Sequence, residues 1–223
     1  MSSNLPFIPN EWTLNDYVGT ARQFHGMDLD WRRGVWLCRP TDAALVLGSA
    51  QDEADIDQER AHLDGIDIVR RRSGGGAVYL SSASAVWIDV VITRGDAHWE
   101  DDVSRSALWL GHAWCAVLEQ FGIANLEVYN ASMLKSVVSR SVCFAGMASG
   151  EVLSGGRKVV GISQRRNRDG ARFQCVLYRQ WRPEEYVHLF VSEAVRDAVL
   201  SLEVIEVPCE PGDVFVALAA HLG

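Results

Sequence analysis

Arg70-Arg71-Arg72-Ser73-Gly74-Gly75-Gly76-Ala77-Val78-Tyr79-Leu80 joins two strand-like runs, Ile66 to Val69 and Ala77 to Leu80. Three cations, a serine and three consecutive glycines fill the join. Consecutive glycines lose much backbone entropy on ordering, a cost that makes sense where positive φ or close approach is required. Bare backbone N–H groups beside guanidiniums suit a phosphate or another oxyanion. The plainer reading of the glycines alone is a flexible hairpin with a basic shoulder. The adjoining arginines and the strands on both sides favour a ligand loop.

The rest of the composition limits what that loop can serve. With 223 residues and 48% hydrophobic content, the chain has material for one large domain with its own core, and residues 1–223 are read as a single domain. No apolar run reaches the roughly 18 residues of a membrane span. Met1-Ser2-Ser3-Asn4 lacks the charged and apolar regions of a signal peptide, so a cytoplasmic location is expected. The net charge of −8 argues against generic nucleic-acid binding. Within this acidic chain, Arg70 to Arg72, Arg157, Lys158, Arg165, Arg166 and Arg168 concentrate positive charge, which points to an anion held between these segments. The five cysteines (Cys38, Cys115, Cys143, Cys175, Cys209) are odd in number and include no C-x-x-C pair, and the six histidines are scattered. Neither a metal site nor a disulfide framework is expected.

The element pattern is that of an α+β protein with a mixed, mainly antiparallel sheet and flanking helices. Residues 10 to 26 read as helical, with Trp12, Leu14, Tyr17, Val18 and Phe24 on the apolar face. Val35–Cys38, Ala43–Gly48 and Ala85–Ile92 read as strands, and Asp55 to Asp64 as a short surface helix. Helical spacing of Val103, Ala107, Leu110, Trp114, Val117, Leu118 and Phe121 predicts a helix over 103–121, capped by Asp101 or Asp102 and ended by Gly122. Val142-Cys143-Phe144 reads as a short strand. Glu151–Leu153 and Arg157–Ile162 read as a hairpin about Ser154-Gly155-Gly156, with Arg172–Tyr178 as the following strand. Pro183 opens a helix, and Val214–Leu222 forms the last one.

The hairpin brings a second basic segment, Gly156-Arg157-Lys158-Val159-Val160-Gly161. A strand lysine is ordinarily a solvated side chain that supports little packing. Here glycines on both sides would let a ligand approach it.

Taken together, RRRSGGGAVY (70–79) and GRKVVGISQRR (156–166) resemble the lipoate–protein ligase and octanoyltransferase superfamily, to which biotin ligases also belong. The resemblance spans about Val35 to Leu177 and fits the lipoyl branch better. It implies the biotin/lipoate protein ligase catalytic-domain fold, and an enzyme that transfers a lipoyl or octanoyl group to a lysine of a carrier domain, through an acyl-adenylate. By the same match Arg70, Arg71, Ser73, Gly74, Gly75, Gly76, Ala77, Val78 and Gly161 would line the ligand. Lys158 would polarise the mixed-anhydride carbonyl. The implied ligands are lipoate or lipoyl-AMP, with ATP and Mg for a full ligase. The implied partners are lipoyl carrier domains, of a 2-oxoacid dehydrogenase E2 or a glycine-cleavage H protein. Asp89 or Glu151 could orient the acceptor amine.

The chain also departs from the family. Leu80 stands where ligases commonly have a histidine, and Phe173-Gln174-Cys175-Val176 replaces a histidine-rich run. Little chain beyond Leu200 is left for the extra C-terminal domain of larger ligases, so the expectation is that activation by ATP is either lacking or supplied with a separate accessory subunit. Val142-Cys143-Phe144 ahead of the lysine strand resembles the thiol-dependent octanoyltransferases of the superfamily. In that alternative Cys143 takes octanoate from an acyl carrier protein, whereas its plainer reading is a small buried hydrophobe. A further alternative is a binding homologue that keeps the pocket without the chemistry.

Overall fold

The computed structural model describes residues 12–134, 136 and 138–222. The chain runs β1 (Thr13–Gly19), α1 (Ala21–Gly26), β2 (Gly34–Pro40), β3 (Ala43–Leu47), α2 (Gln58–Leu63), β4 (Ile66–Arg70), β5 (Val78–Leu80) and β6 (Ala85–Thr93). It continues through α3 (Leu108–Gln120), β7 (Leu126–Val128), β8 (Val152–Ser154), β9 (Arg157–Arg166), β10 (Gly170–Tyr178), α4 (Glu193–Leu200) and α5 (Pro211–His221). Seven strands form one sheet in the order β1-β2-β6-β10-β9-β8-β7, and β4-β3-β5 form a second. Only β1–β2 and β3–β4 pair in parallel among these strands, so the architecture is α+β and mainly antiparallel. No helix among the described residues is long and apolar enough to cross a membrane.

Side-chain alternation sets the layers. Val86, Ile88, Val90 and Ile92 of β6 and Ala171, Phe173, Cys175 and Leu177 of β10 face one side of the large sheet. There they bury against Leu110, Trp114, Val117 and Leu118 of α3 and Val214, Phe215 and Leu218 of α5. The intervening residues Trp87, Val176 and Tyr178 face the other side and pack on Ala44, Val46, Val69 and Leu80 of the small sheet. The back of the small sheet, Leu45, Leu47, Ile66 and Tyr79, is covered by Tyr186, Leu189, Phe190 and Val199. The space between the two sheets is where the loop after β4 arrives.

Three expectations are corrected. Residues 13–19 are an edge strand, whereas the expected helix began at residue 10, and its first two positions lie outside the described residues. The helix starts later because the capping box sits at Thr20 and Gln23, whose side chain and backbone bond reciprocally. Val18, placed on the apolar face by helical spacing, is 64% exposed. The helix expected from residue 103 begins at Leu108 without a side-chain cap, since Asp102 instead holds the turn at Ser104. Cys143–Ala145 is a 3₁₀ turn rather than a strand, because only Val142 is extended enough to bridge Ala77.

Candidate active site

The glycine loop is built by its arginines. Arg71 is buried and donates from Nη1 to the Val46 carbonyl (3.1 Å) and from Nη2 to the carbonyls of Gly74 and Gly76 (both 2.8 Å). Arg70 donates from Nη1 to the Gln51 carbonyl (2.6 Å) and pairs with Glu53 (2.9 Å). Both guanidiniums therefore brace loop backbone. Arg71 still lines a cavity, but Arg70 faces its own surface loop, because the strand ends there and turns its side chain outward. Arg72 is exposed and has no hydrogen bond or ion pair among the described residues. Burial, then the neighbouring cations Arg72 and Arg172, hold the Arg165 pKa below the ordinary arginine range.

Two glycines are required by geometry. Gly75 takes φ +99°, and a Cβ on Gly76 would stand 2.6 Å from the Val142 backbone. That close approach lets Ala77 N–H donate to the Ser141 carbonyl (2.8 Å) and Cys143 N–H to the Ala77 carbonyl (3.0 Å). The loop thus fixes Cys143.

Lys158 comes from the other side, on the hairpin that turns at Gly155-Gly156 with positive φ at both. It is not solvated: the residue is 3% exposed, and its Nζ lies 2.7 Å from Glu151 Oε2 and donates to the Cys143 carbonyl at 2.9 Å. A register shift between Val152 and Leu153 turns the lysine inward from the alternation expected of a regular strand. The Glu151 carboxylate also accepts from the N–H groups of Ala148 (2.7 Å) and Ile162 (3.3 Å). Burial pushes the Glu151 pKa up, opposed by Lys158 and these donors. Asp89 is elsewhere, fully buried between Arg172 and the Trp87 indole N–H.

These groups surround two adjoining cavities. The larger, of about 220 Å³, is lined by Gly74, Gly75, Gly76, Cys143, Glu151 and Lys158, with Met133, Leu134 and Met147 on its outer wall. The smaller, of about 30 Å³, is a narrow slot between the sheets, lined by Val46, Val78, Leu80, Trp87, Phe144, Gly161 and Val176. Cys143 and Ser163 line both. Ser73 is buried at the junction, its Oγ 3.1 Å from Ser163 Oγ and 3.2 Å from Gln174 Oε1. Ala77 is a backbone bridge under the loop. The structure therefore gathers Gly74 to Gly76, Cys143 and Lys158 at one cavity, with Arg71, Val78 and Gly161 at its neighbour. Sequence reasoning missed His25, which lines the slot from α1 and carried no motif. Cys38, Cys175 and Cys209 are buried, and among the described residues no group of three His, Cys, Asp or Glu could hold a metal ion.

Residues 11–222 match the family described as the lipoyl protein ligase A/B catalytic domain, and the chain belongs to that family. A lipoate-protein ligase A bound with ATP superposes with a TM-score of 0.68 at 15% identity, covering 93% of this chain and 81% of the other. A bi-partite lipoate protein ligase of Thermoplasma acidophilum, studied with its E2 lipoyl domain, gives 0.70 at 16% identity, covering 95% and 82%. A T. acidophilum protein with bound lipoic acid gives 0.65 at 14%, covering 91% and 79%. No curated protein matches the chain in sequence.

Proposed function

We propose that this chain acts as one catalytic unit that transfers a lipoyl group from an acyl-adenylate to a lysine of a lipoyl carrier domain. The observation that carries the reading is the pairing of cavities: an apolar slot opens beside a chamber that holds Lys158 and the bare backbone of Gly74 to Gly76. The slot suits the acyl chain, and the chamber suits the carbonyl and phosphate. The acceptor amine attacks the acyl carbon and forms the C–N bond. The C–O bond of the mixed anhydride breaks, AMP leaves with the electron pair, and the amine proton passes to solvent. Lys158 would exchange the Cys143 carbonyl for the oxygen on which charge develops, a contribution of about 3 kcal/mol. Glu151 acts as a positioning residue for that ammonium. Arg72, the exposed arginine of the loop and without a hydrogen bond or ion pair among the described residues, is the candidate for the phosphate.

The likeness to a ligase crystallised with ATP and to one studied with its E2 lipoyl domain supports these substrate classes. A 2-oxoacid dehydrogenase E2 or a glycine-cleavage H protein is the carrier we propose. One observation favours a second reading, octanoyl transfer from acyl carrier protein through a Cys143 thioester. Cys143 is partly exposed and lies at the junction of the two cavities. The test is intact-mass analysis of a lipoyl domain incubated with the protein and one of three donors: lipoate plus ATP, lipoyl-AMP, or octanoyl-acyl carrier protein. Modification from lipoyl-AMP is expected. Modification only from the carrier-protein thioester would replace this reading with the second, and none from any donor would leave a binding homologue.

A further inference from the structure

The slot contains a hydrogen-bond donor that nothing in the protein uses. His25 is 8% exposed, stacks on Trp87 (centroids 4.8 Å apart) and lines the slot, and its Nε2 is buried without a partner. The surrounding network assigns its proton. Ser73 Oγ donates to Gln174 Oε1, which leaves the Gln174 amide nitrogen, a donor only, facing His25 Nδ1 at 3.3 Å. With Nδ1 accepting, the neutral ring carries its hydrogen on Nε2. Burial, with Arg172 and Arg71 adding like charge, lowers the His25 pKa to about 3, so the ring stays neutral at working pH.

We infer that His25 is a specificity residue, whose Nε2–H meets a hydrogen-bond acceptor on the acyl chain and selects a sulfur-bearing chain over a purely hydrocarbon one of the same shape. The inference rests on the acyl-pocket reading above. Around Trp87 the slot wall is otherwise spent: Leu80 and Val176 offer nothing, and Gln174 is engaged by Ser73 and His25. The lining holds one other buried donor without a partner, Arg71 Nε, on a guanidinium already held by the Val46, Gly74 and Gly76 carbonyls. A bare alkyl chain entering the slot would bury the N–H against carbon and leave it unmade, whereas a divalent sulfur is a weak acceptor that can take it. The slot is narrower than an acyl chain needs, so entry parts the lining side chains and brings the ring into contact with whatever enters.

Titration calorimetry of the full chain tests this with two acids of nearly equal shape, lipoate and 5-cyclopentylpentanoate, in which both ring sulfurs are replaced by methylenes. Wild type should bind lipoate about fivefold or more tighter, consistent with one net hydrogen bond. His25→Phe, which keeps the stack on Trp87, should bring the two affinities together, and His25→Gln, which keeps an N–H donor, should retain part of the preference. Equal binding of both acids by wild type overturns the role of His25 and leaves the acyl pocket standing, as does a preference unchanged in His25→Phe. Binding of neither acid by wild type removes the acyl-pocket reading itself, and this inference with it.

Discussion

The Lys158 ammonium lies 2.7 Å from the Glu151 carboxylate, and only 2% and 3% of the two side chains are exposed. Two charges withdrawn from water attract strongly, but each has lost its hydration, so the pair is held to near balance by the extra donors on Glu151 and the Cys143 carbonyl on Lys158. Removing one member leaves the other buried and unmatched. Lys158→Ala is therefore expected to abolish acyl transfer and also to cost about 3 kcal/mol of stability in urea unfolding, near the lower end for a broken buried pair. The double variant Lys158→Met with Glu151→Gln should recover most of that stability while transfer stays absent. A single variant as stable as wild type would mean that the pair opens to water in solution.

The arginine triplet divides by the same logic. Arg71→Met deprives the carbonyls of Val46, Gly74 and Gly76 of their donor and should cost about 2–3 kcal/mol, with loss of transfer through a loosened loop. Arg72→Ala removes no hydrogen bond or ion pair among the described residues and should change stability by less than about 0.5 kcal/mol. It should raise KM for lipoyl-AMP about tenfold, the worth of one charge-assisted hydrogen bond. Equal kinetic effects from Arg72→Ala on a phosphate-free acyl donor would remove Arg72 from the phosphate.

Much of this was legible because local pattern and burial agree. The alternation of β6 and β10, the stripe through Leu110, Trp114 and Val117, and the Gly155-Gly156 hairpin are written in residue spacing. What was not legible depends on partners distant in sequence. Leu14, Tyr17 and Val18 satisfy a helical period as well as an edge strand, and only pairing with β2 decides. The sequence shows the charges of Arg70 and Arg71 but not the carbonyls that take them up. Lys158 looked solvated because its counter-ion, seven residues earlier on the paired strand's approach, is brought beside it by an irregular register. His25 enters the site through the stacking of two sheets, an arrangement without a local sequence signal.

The approach of two backbones makes Gly76 the least replaceable glycine of the loop. Gly76→Ala would place a methyl group 2.6 Å from the Val142 backbone and 2.8 Å from the Cys143 nitrogen, both of which belong to main chain that cannot rotate away. The expected cost is about 1–3 kcal/mol by overpacking, with Cys143 displaced from the cavity junction and transfer reduced at least tenfold. Gly74→Ala has open space around its Cβ and should be tolerated in stability. Circular dichroism melts alongside transfer assays separate the two.

His25 gives the fold a defined pH dependence. Its folded pKa of about 3 lies below the unfolded value of 6.5, so below pH 6.5 the unfolded chain binds a proton that the folded chain refuses. Stability falls as pH drops through that window, by about 1.4 kcal/mol per pH unit from this one group. His25→Phe should flatten the stability profile between pH 6 and pH 4 by roughly that slope. An unchanged slope in urea titrations at these pH values would show that the ring is protonated and solvated in the folded state.

The donor is decided at Cys143. Its thiol sits where the slot meets the chamber, but the contact from Lys158 goes to its carbonyl oxygen, and no described group within hydrogen-bond distance of the sulfur serves as a base. The loop carbonyl and the ammonium thus act on the same residue through its backbone, which a serine would preserve. If the donor is lipoyl-AMP, Cys143→Ser should transfer at nearly the wild-type rate, because the acyl carbon passes directly from the anhydride oxygen to the acceptor amine. If the acyl group instead rests on the thiol, the same variant should lose transfer by about a hundredfold or more, since a hydroxyl is far less ionised than a thiol at neutral pH. Intact-mass measurement without acceptor gives the independent readout. Wild type mixed with octanoyl-acyl carrier protein should keep its own mass, and a gain of one octanoyl group that disappears in Cys143→Ser would assign the chemistry to the cysteine.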